Sequence, residues 1–285
     1  MEEFETEARE FSAKFAFCNE MFGDRPLAEA WEFAAMCGYT GVEIAPFTIS
    51  RETNYVTELR PSDRNRIRRE AESAGLQVVG LHWLLAKTEG LYLTSPDLSI
   101  RKKTSLYFGE LVRLCADLGG SVMVLGSPVQ RNLLPGVTFS EALDYAAKVL
   151  DSVLRTLEDH EVTIAIEPLE PKSSDFINTV AEAVQLIELV DSPWVQLQLD
   201  VHSMSYESTP IPELIRDHAW MATHFHANDS NLQGPGFGKI NFVPILAALK
   251  EIDYQGWISV EPFDFSPGPE ILAVDSIAYL KECMK

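Results

Sequence analysis

The chain has 285 residues, 46% of them hydrophobic, and a formal net charge of −20 at pH 7. The length suits one α/β barrel with a sizeable core. The charge repels nucleic-acid phosphates and no basic stripe offsets it; no apolar run reaches the roughly 18 residues of a membrane span, so neither nucleic acid nor membrane is expected as a partner.

The N-terminal "MEEFETEAREFSAKF" is acidic and lacks an apolar core, so it does not read as a signal peptide. Residues 1–12 are expected to form a flexible extension and 13–285 a barrel catalytic domain. From there the pattern alternates. A strand at 14–22 precedes a helix at 26–38, with Pro26 placed for its first turn and Gly38 for its stop. A strand at 41–47 is followed by a helix at 60–75, whose arginines in "RPSDRNRIRRE" read as a wet face. Then come a strand at 77–85, a long helix at 97–119 capped by Asp97, a strand at 121–128 and a helix at 138–160. The second half repeats the rhythm, with strands at 163–169, 195–203, 223–229 and 257–263. Helices at 179–191, 210–218, 242–253 and 269–285 alternate with them.

Near-continuous apolar strands separated by helices imply a parallel sheet buried on both faces. Eight units without a linker favour a closed, single-domain (β/α)₈ TIM barrel over an open sheet. Cys18, Cys37, Cys115 and Cys283 lie far apart without a CxxC pair. They read as reduced, mostly packed thiols, as expected of a cytoplasmic protein.

In such a barrel, chemistry belongs at the C-terminal ends of the strands. Strand five ends in Glu167 and strand six in Asp200, with His202 beyond it. Strand seven carries His224 and His226, and strand eight ends in Glu261. Residues two apart share a face of a strand, so His224 and His226 point the same way, as do Asp200 and His202. Three carboxylates on neighbouring strands repel one another, and these strands supply no lysine or arginine to relieve them. A divalent cation would relieve them. Glu167, Asp200, His226 and Glu261 suit Mn²⁺, Mg²⁺ or Co²⁺ in octahedral geometry with two positions left for substrate oxygens, and zinc stays open. Both glutamates stand in Glu-Pro steps, and proline fixes φ and favours an extended residue before it. Each proline would stop its strand and hold a carboxylate at the mouth.

The motifs "IAIEPLE", "LQLDVHS", "THFHANDS" and "GFGKINFVPILAALKEIDYQGWISVEPF" resemble the xylose isomerase-like TIM-barrel superfamily over essentially the whole chain. Its members include ketose 3-epimerases, inosose dehydratases, hydroxypyruvate isomerases and endonuclease IV. "GLHWLL" with "GLYLTSPD" is similar to a subgroup of these isomerases. The resemblance implies that Glu167, Asp200, His226 and Glu261 bind one metal ion, Mn²⁺ by preference, the same four that strand position selects. It further implies an epimerase or isomerase of a sugar or sugar phosphate that works through a metal-bound enediolate. Glu167 and Glu261 would form the acid/base pair. Barrels of this type often pair through side helices, which leaves a homo-oligomer open.

Around this set, Glu43 is a candidate for binding a sugar hydroxyl or orienting a neighbour. His82 is a candidate substrate contact, Arg131 a candidate holder of a phosphate or carboxylate, and His202 a candidate neighbour of Asp200. His224 would act from behind the ligands, and Trp83 reads as packing. Two positions depart from the family. Many of its epimerases carry Asp-x-x-His on strand six, where this chain has Ser203, with the histidine one earlier at His202. Some carry an arginine six residues beyond the metal-binding histidine, where this chain has Leu232. The loop "SNLQGPGFGK" could close over a ligand, but glycine content alone is weak evidence of phosphate binding. Alternatives on the same site are an inosose-type dehydratase and a non-catalytic sugar-binding barrel. An endonuclease IV-like enzyme needs more histidines, and "LGSP" supplies none at the end of strand four.

Overall fold

The computed structural model describes residues 12–285. Residues 1–11 of the expected extension lie outside the described residues. Eight strands form: β1 (Lys14–Cys18), β2 (Gly41–Ile44), β3 (Gln77–Leu81), β4 (Val122–Leu125), β5 (Thr163–Ile166), β6 (Val195–Asp200), β7 (Ala222–Ala227) and β8 (Trp257–Val260). Each pairs in parallel with the next, and β8 pairs with β1 to close the barrel. The eight expected strands and the closed barrel are therefore present.

Helices alternate with the strands and cover the outside. Asp97 caps the helix Leu98–Leu118, accepting from the Ser99 N–H at 2.7 Å. Gly38, at φ 96°, ends the helix Leu27–Cys37 in the left-handed region that glycine adopts without strain. Pro26 stands at the N-cap of that helix rather than inside its first turn. Thr138 and Glu141 make a reciprocal capping box at the start of Phe139–Asp151.

Five expected segments run differently. The strand expected at 41–47 ends at Ile44, and Pro46–Ile49 form a helical turn. β1 stops at Cys18, and Asn19–Phe22 turn as a 3-10 helix. β3 ends at Leu81, so His82 and Trp83 lie beyond it, with Trp83 at φ 53°. The helix expected at 138–160 breaks into Phe139–Asp151 and Leu154–His160. β6 ends at Asp200, which caps a one-turn helix, Val201–Met204. His202 is thus a helical residue, not a strand neighbour on the face of Asp200.

The core fills the space between barrel and helices. Phe17, Trp31, Phe108, Phe176, Phe225 and Phe242 are fully buried, and each such side chain contributes about 1.5–3 kcal/mol by leaving water. All four cysteines are free. No helix among the described residues is long and apolar enough to cross a membrane.

Candidate active site

The two glutamates of the Glu-Pro steps are placed by the sheet's own ladder. Glu167 is the first residue after β5, and its N–H donates to the Leu125 carbonyl of β4. Glu261 is the first residue after β8, and its N–H donates to the Ala227 carbonyl of β7. Pro168 and Pro262 have no N–H to continue, so the ladder ends there. Both carboxylates stand at the rim, still pinned by their backbones.

Asp200 is fixed from two sides. Its Oδ1 accepts the Ser203 N–H at 2.7 Å and its Oδ2 accepts from the Asn228 side chain at 2.6 Å. Asn228 also accepts the His202 N–H at 2.7 Å, tying β7 to the turn after β6. His226, inside β7, presents Nδ1 to the rim. That nitrogen lies 2.7 Å from Glu261 Oε2 and 3.4 Å from Glu167 Oε1. Ligand atoms of Glu167, Asp200, His226 and Glu261 all lie within 4.8 Å of one another, and all four residues are buried.

The donor set can be tested against a metal ion. His226 Nδ1 and Glu261 Oε2 are buried and make no hydrogen bond despite their 2.7 Å approach. Three carboxylates and one imidazole converging on a point match an oxygen-preferring divalent cation. Electrostatics agree. Burial, reinforced by Glu167, pushes the Asp200 carboxyl up. Burial also pushes the Glu261 carboxyl up, against the pull of His226. Such groups gain most from a positive charge between them.

Beneath this layer lies a second one, closed to solvent. Glu43 is 1% exposed, and its carboxylate pairs with His224 Nε2 at 2.7 Å and with His226 Nε2 at 3.2 Å. Burial would raise its pKa, but the two imidazoles hold the carboxyl well below the usual range. Glu43 therefore orients His226 from behind, leaving Nδ1 for the rim, as carboxylates behind metal-binding histidines do. His82 is fully buried and pairs with Glu20 at 2.7 Å. Burial works against its charge, yet Glu20 carries its pKa up to about 9.

Of the four residues expected to meet substrate, only His202 lines the cavity above the cluster. That cavity, of about 170 Å³, is also walled by Trp83, Glu170, Leu232 and Phe263. Glu43 and His82 sit below it. Arg131 corrects the expectation of a phosphate or carboxylate ligand. Its guanidinium has five N–H groups, and all five are committed. Nε and Nη2 donate to the Phe176 carbonyl, Nη2 also to Ile177, and Nη1 to Leu125 and Glu167. It is 2% exposed, and burial lowers its pKa to about 10 against the pull of Glu167. Arg131 fastens the backbone of Glu167 to the loop that follows.

Asn228, Glu170, Glu20 and Phe263 were not foreseen. Asn228 follows the strand-seven histidines in "HAND", and Glu170 ends "EPLE", so both stood next to residues already singled out. The glycine-rich loop after β7 folds around an internal anchor. The buried Asp229 carboxylate accepts N–H groups of Ser230, Gly236 and Ile240.

A family profile described as "Xylose isomerase-like TIM barrel" matches residues 31–283. The chain belongs to this family. A probable ketose 3-epimerase of Synechocystis sp. is 25% identical over 265 residues, covering 86% of each chain. The 3-dehydro-D-guloside 4-epimerase of Escherichia coli is 29% identical over 182 residues, covering 61% of this chain and 69% of that protein. A crystal structure of D-psicose 3-epimerase with D-tagatose from Clostridium cellulolyticum H10 superposes with a TM-score of 0.83 at 20% identity. It covers 95% of this chain and 99% of that one. This last likeness shows the shared fold.

Proposed function

We propose that this family member is a divalent-metal-dependent isomerase that inverts the carbon next to the carbonyl of a keto sugar. The observation that carries the reading is the convergence of Glu167, Asp200, His226 and Glu261 within 4.8 Å, with both glutamates beside His226 Nδ1. A ketose 3-epimerase and a 3-dehydro-guloside 4-epimerase, the activities named for two relatives, share one step: inversion next to a carbonyl. Glu167, Asp200, His226 and Glu261 hold the metal, Mn²⁺ by preference. The ion supplies a Lewis acid that polarises the carbonyl and acidifies the neighbouring C–H.

The chain's own groups do the rest. Glu167 and Glu261 come from β5 and β8, three strands apart, so they stand on different sides of a sugar lying over His226. One takes the proton from the carbon and the other returns a proton to the opposite face. Asn228 and the Ser203 N–H hold Asp200 out of this exchange. Trp83, Leu232 and Phe263 wall off water. His202 and Glu170, 4.0 Å apart at the rim, are the polar groups placed to meet the sugar's hydroxyls.

The test is product analysis. Protein loaded with Mn²⁺ is incubated with ketoses, ketose phosphates, inososes and keto-glycosides, and products are separated by chromatography and weighed by mass spectrometry. Chelator-sensitive appearance of an isobaric epimer supports the reading. A product lighter by one water would make the enzyme a dehydratase instead.

A further inference from the structure

Beyond the reacting cavity lies a wider groove of about 770 Å³. The two share Trp83, Pro128 and Phe263, so the groove continues the cavity outward rather than standing apart from it. Its own walls add Phe47, Val129 and Phe265. Val129 is 69% exposed and Phe265 37% exposed, and both line the same groove as Phe47 and Trp83, so the apolar surface there is shared rather than scattered. Trp83 and Phe263 meet edge to face with ring centroids 6.1 Å apart, forming the sill between the two spaces. The Trp83 backbone sits at φ 53°, a left-handed conformation rare for a bulky residue. Polar side chains of Thr48, Arg51, Asn54 and Gln130 stand among the aromatic ones.

We infer that this groove is a subsite for a second sugar ring attached to the reacting one, so that the substrate is a glycosylated keto sugar of disaccharide size. The inference rests on the isomerase reading for the inner cavity alone. A pyranose has an apolar C–H face and an equatorial belt of hydroxyls. Aromatic walls beside the Asn54 and Gln130 amides match both features, while Thr48 and Arg51 are already bonded to Asn19, Ala45, Gly23 and Asp24. A free ketose would fill the inner cavity and leave the outer walls wet. The groove holds both signs of charge, with Asp24 paired to Arg51 at 3.3 Å and Glu20 and Lys87 also lining it, so it is not built around an anion. Lys87 lies over the Phe47 ring at 4.0 Å, so its ammonium is already partnered on that side.

The test compares matched pairs. Binding of fructose, isomaltulose and maltulose, and of methyl 3-keto-glucoside and 3-keto-maltoside, is measured by calorimetry on the Mn²⁺-loaded protein. Deuterium exchange is read separately on the same samples. At least one disaccharide is expected to bind ten-fold or more tightly than its monosaccharide partner. Phe265→Ala and Phe47→Ala should each cut that ratio several-fold. If no disaccharide outbinds its partner, or if both variants leave the ratio intact, the subsite is refuted. A ratio that stands while no carbon-bound hydrogen exchanges would keep the subsite and overturn the isomerase reading. Exchange on monosaccharides with no ratio would do the reverse.

Discussion

Gly126 offers a way to disturb Glu167 without touching its carboxylate chemistry. It follows β4, and a Cβ built on it would lie 1.5 Å from Glu167 Oε2 and 2.8 Å from Glu167 Cδ. Real Cβ atoms essentially never come nearer than 3.0 Å, so in Gly126→Ala the carboxylate retreats by about 1.5 Å, and displacements of that order at a reacting centre cost on the order of 100-fold in rate. The fold should hardly notice. Gly126 is not among the glycines at positive φ, and at compatible positions Gly→Ala stabilises by about 0.4–1 kcal/mol through the unfolded chain. The atom that must move is the end of a side chain rather than backbone. The expected outcome is a melting temperature within a few degrees of wild type, epimer formation down by about 100-fold, and weaker Mn²⁺ binding in a calorimetric titration. Wild-type turnover by Gly126→Ala would refute the reasoning, because the carboxylate could not then be acting where the structure places it.

Arg131→Met should act through stability instead. It removes five buried hydrogen bonds to the carbonyls of Leu125, Glu167, Phe176 and Ile177. A loss of about 3–5 kcal/mol is expected, read as a melting point lower by roughly 5–10 °C in a chain of this size; an unchanged melting point would show the clamp to be idle. The metal-free protein should also respond to pH. Burial raises the Asp200 and Glu261 carboxyls, and Glu20 lifts His82 to about 9. Groups raised above their unfolded values contribute stability that is complete below the unfolded pKa and lost as pH climbs through the folded one. Melting points of chelator-treated protein should therefore fall between pH 5 and 9, and added Mn²⁺ should raise them more at pH 8 than at pH 5.5, where protons compete for the ligands. A metal shift that grows toward low pH would contradict this.

Fold class was legible because eight apolar runs alternate with amphipathic ones, and only a parallel sheet buried on both faces accommodates them. The barrel in turn told which residues to inspect. Glu167, Asp200 and Glu261 stood out because each closes an apolar run, and His226 because it lies on the inward face of strand seven beside them. Depth along the barrel was not legible. Glu43 and His224 also point inward, but β2 pairs with β1 and β3 at a level that leaves Glu43 opposite Cys18 and Gly80, beneath the rim. Arg131 was misread because its partners are backbone carbonyls from three segments, two of them distant in sequence, and no pattern of side chains announces a carbonyl. His202 turned out helical because Asp200 caps the next turn, an event decided by one hydrogen bond from the Ser203 N–H. The break at Ser152 has no glycine or proline to mark it.

Glu167 and Glu261 are proposed to exchange the proton at a carbon beside a carbonyl. The most direct test is solvent deuterium wash-in, with Mn²⁺-loaded protein in D₂O and NMR of recovered substrate and product. Wild type should incorporate one deuterium at the inverted carbon, lost on chelation and largely lost in both Glu167→Gln and Glu261→Gln. Epimer formed without solvent deuterium, or full activity in Glu261→Gln, would contradict this role.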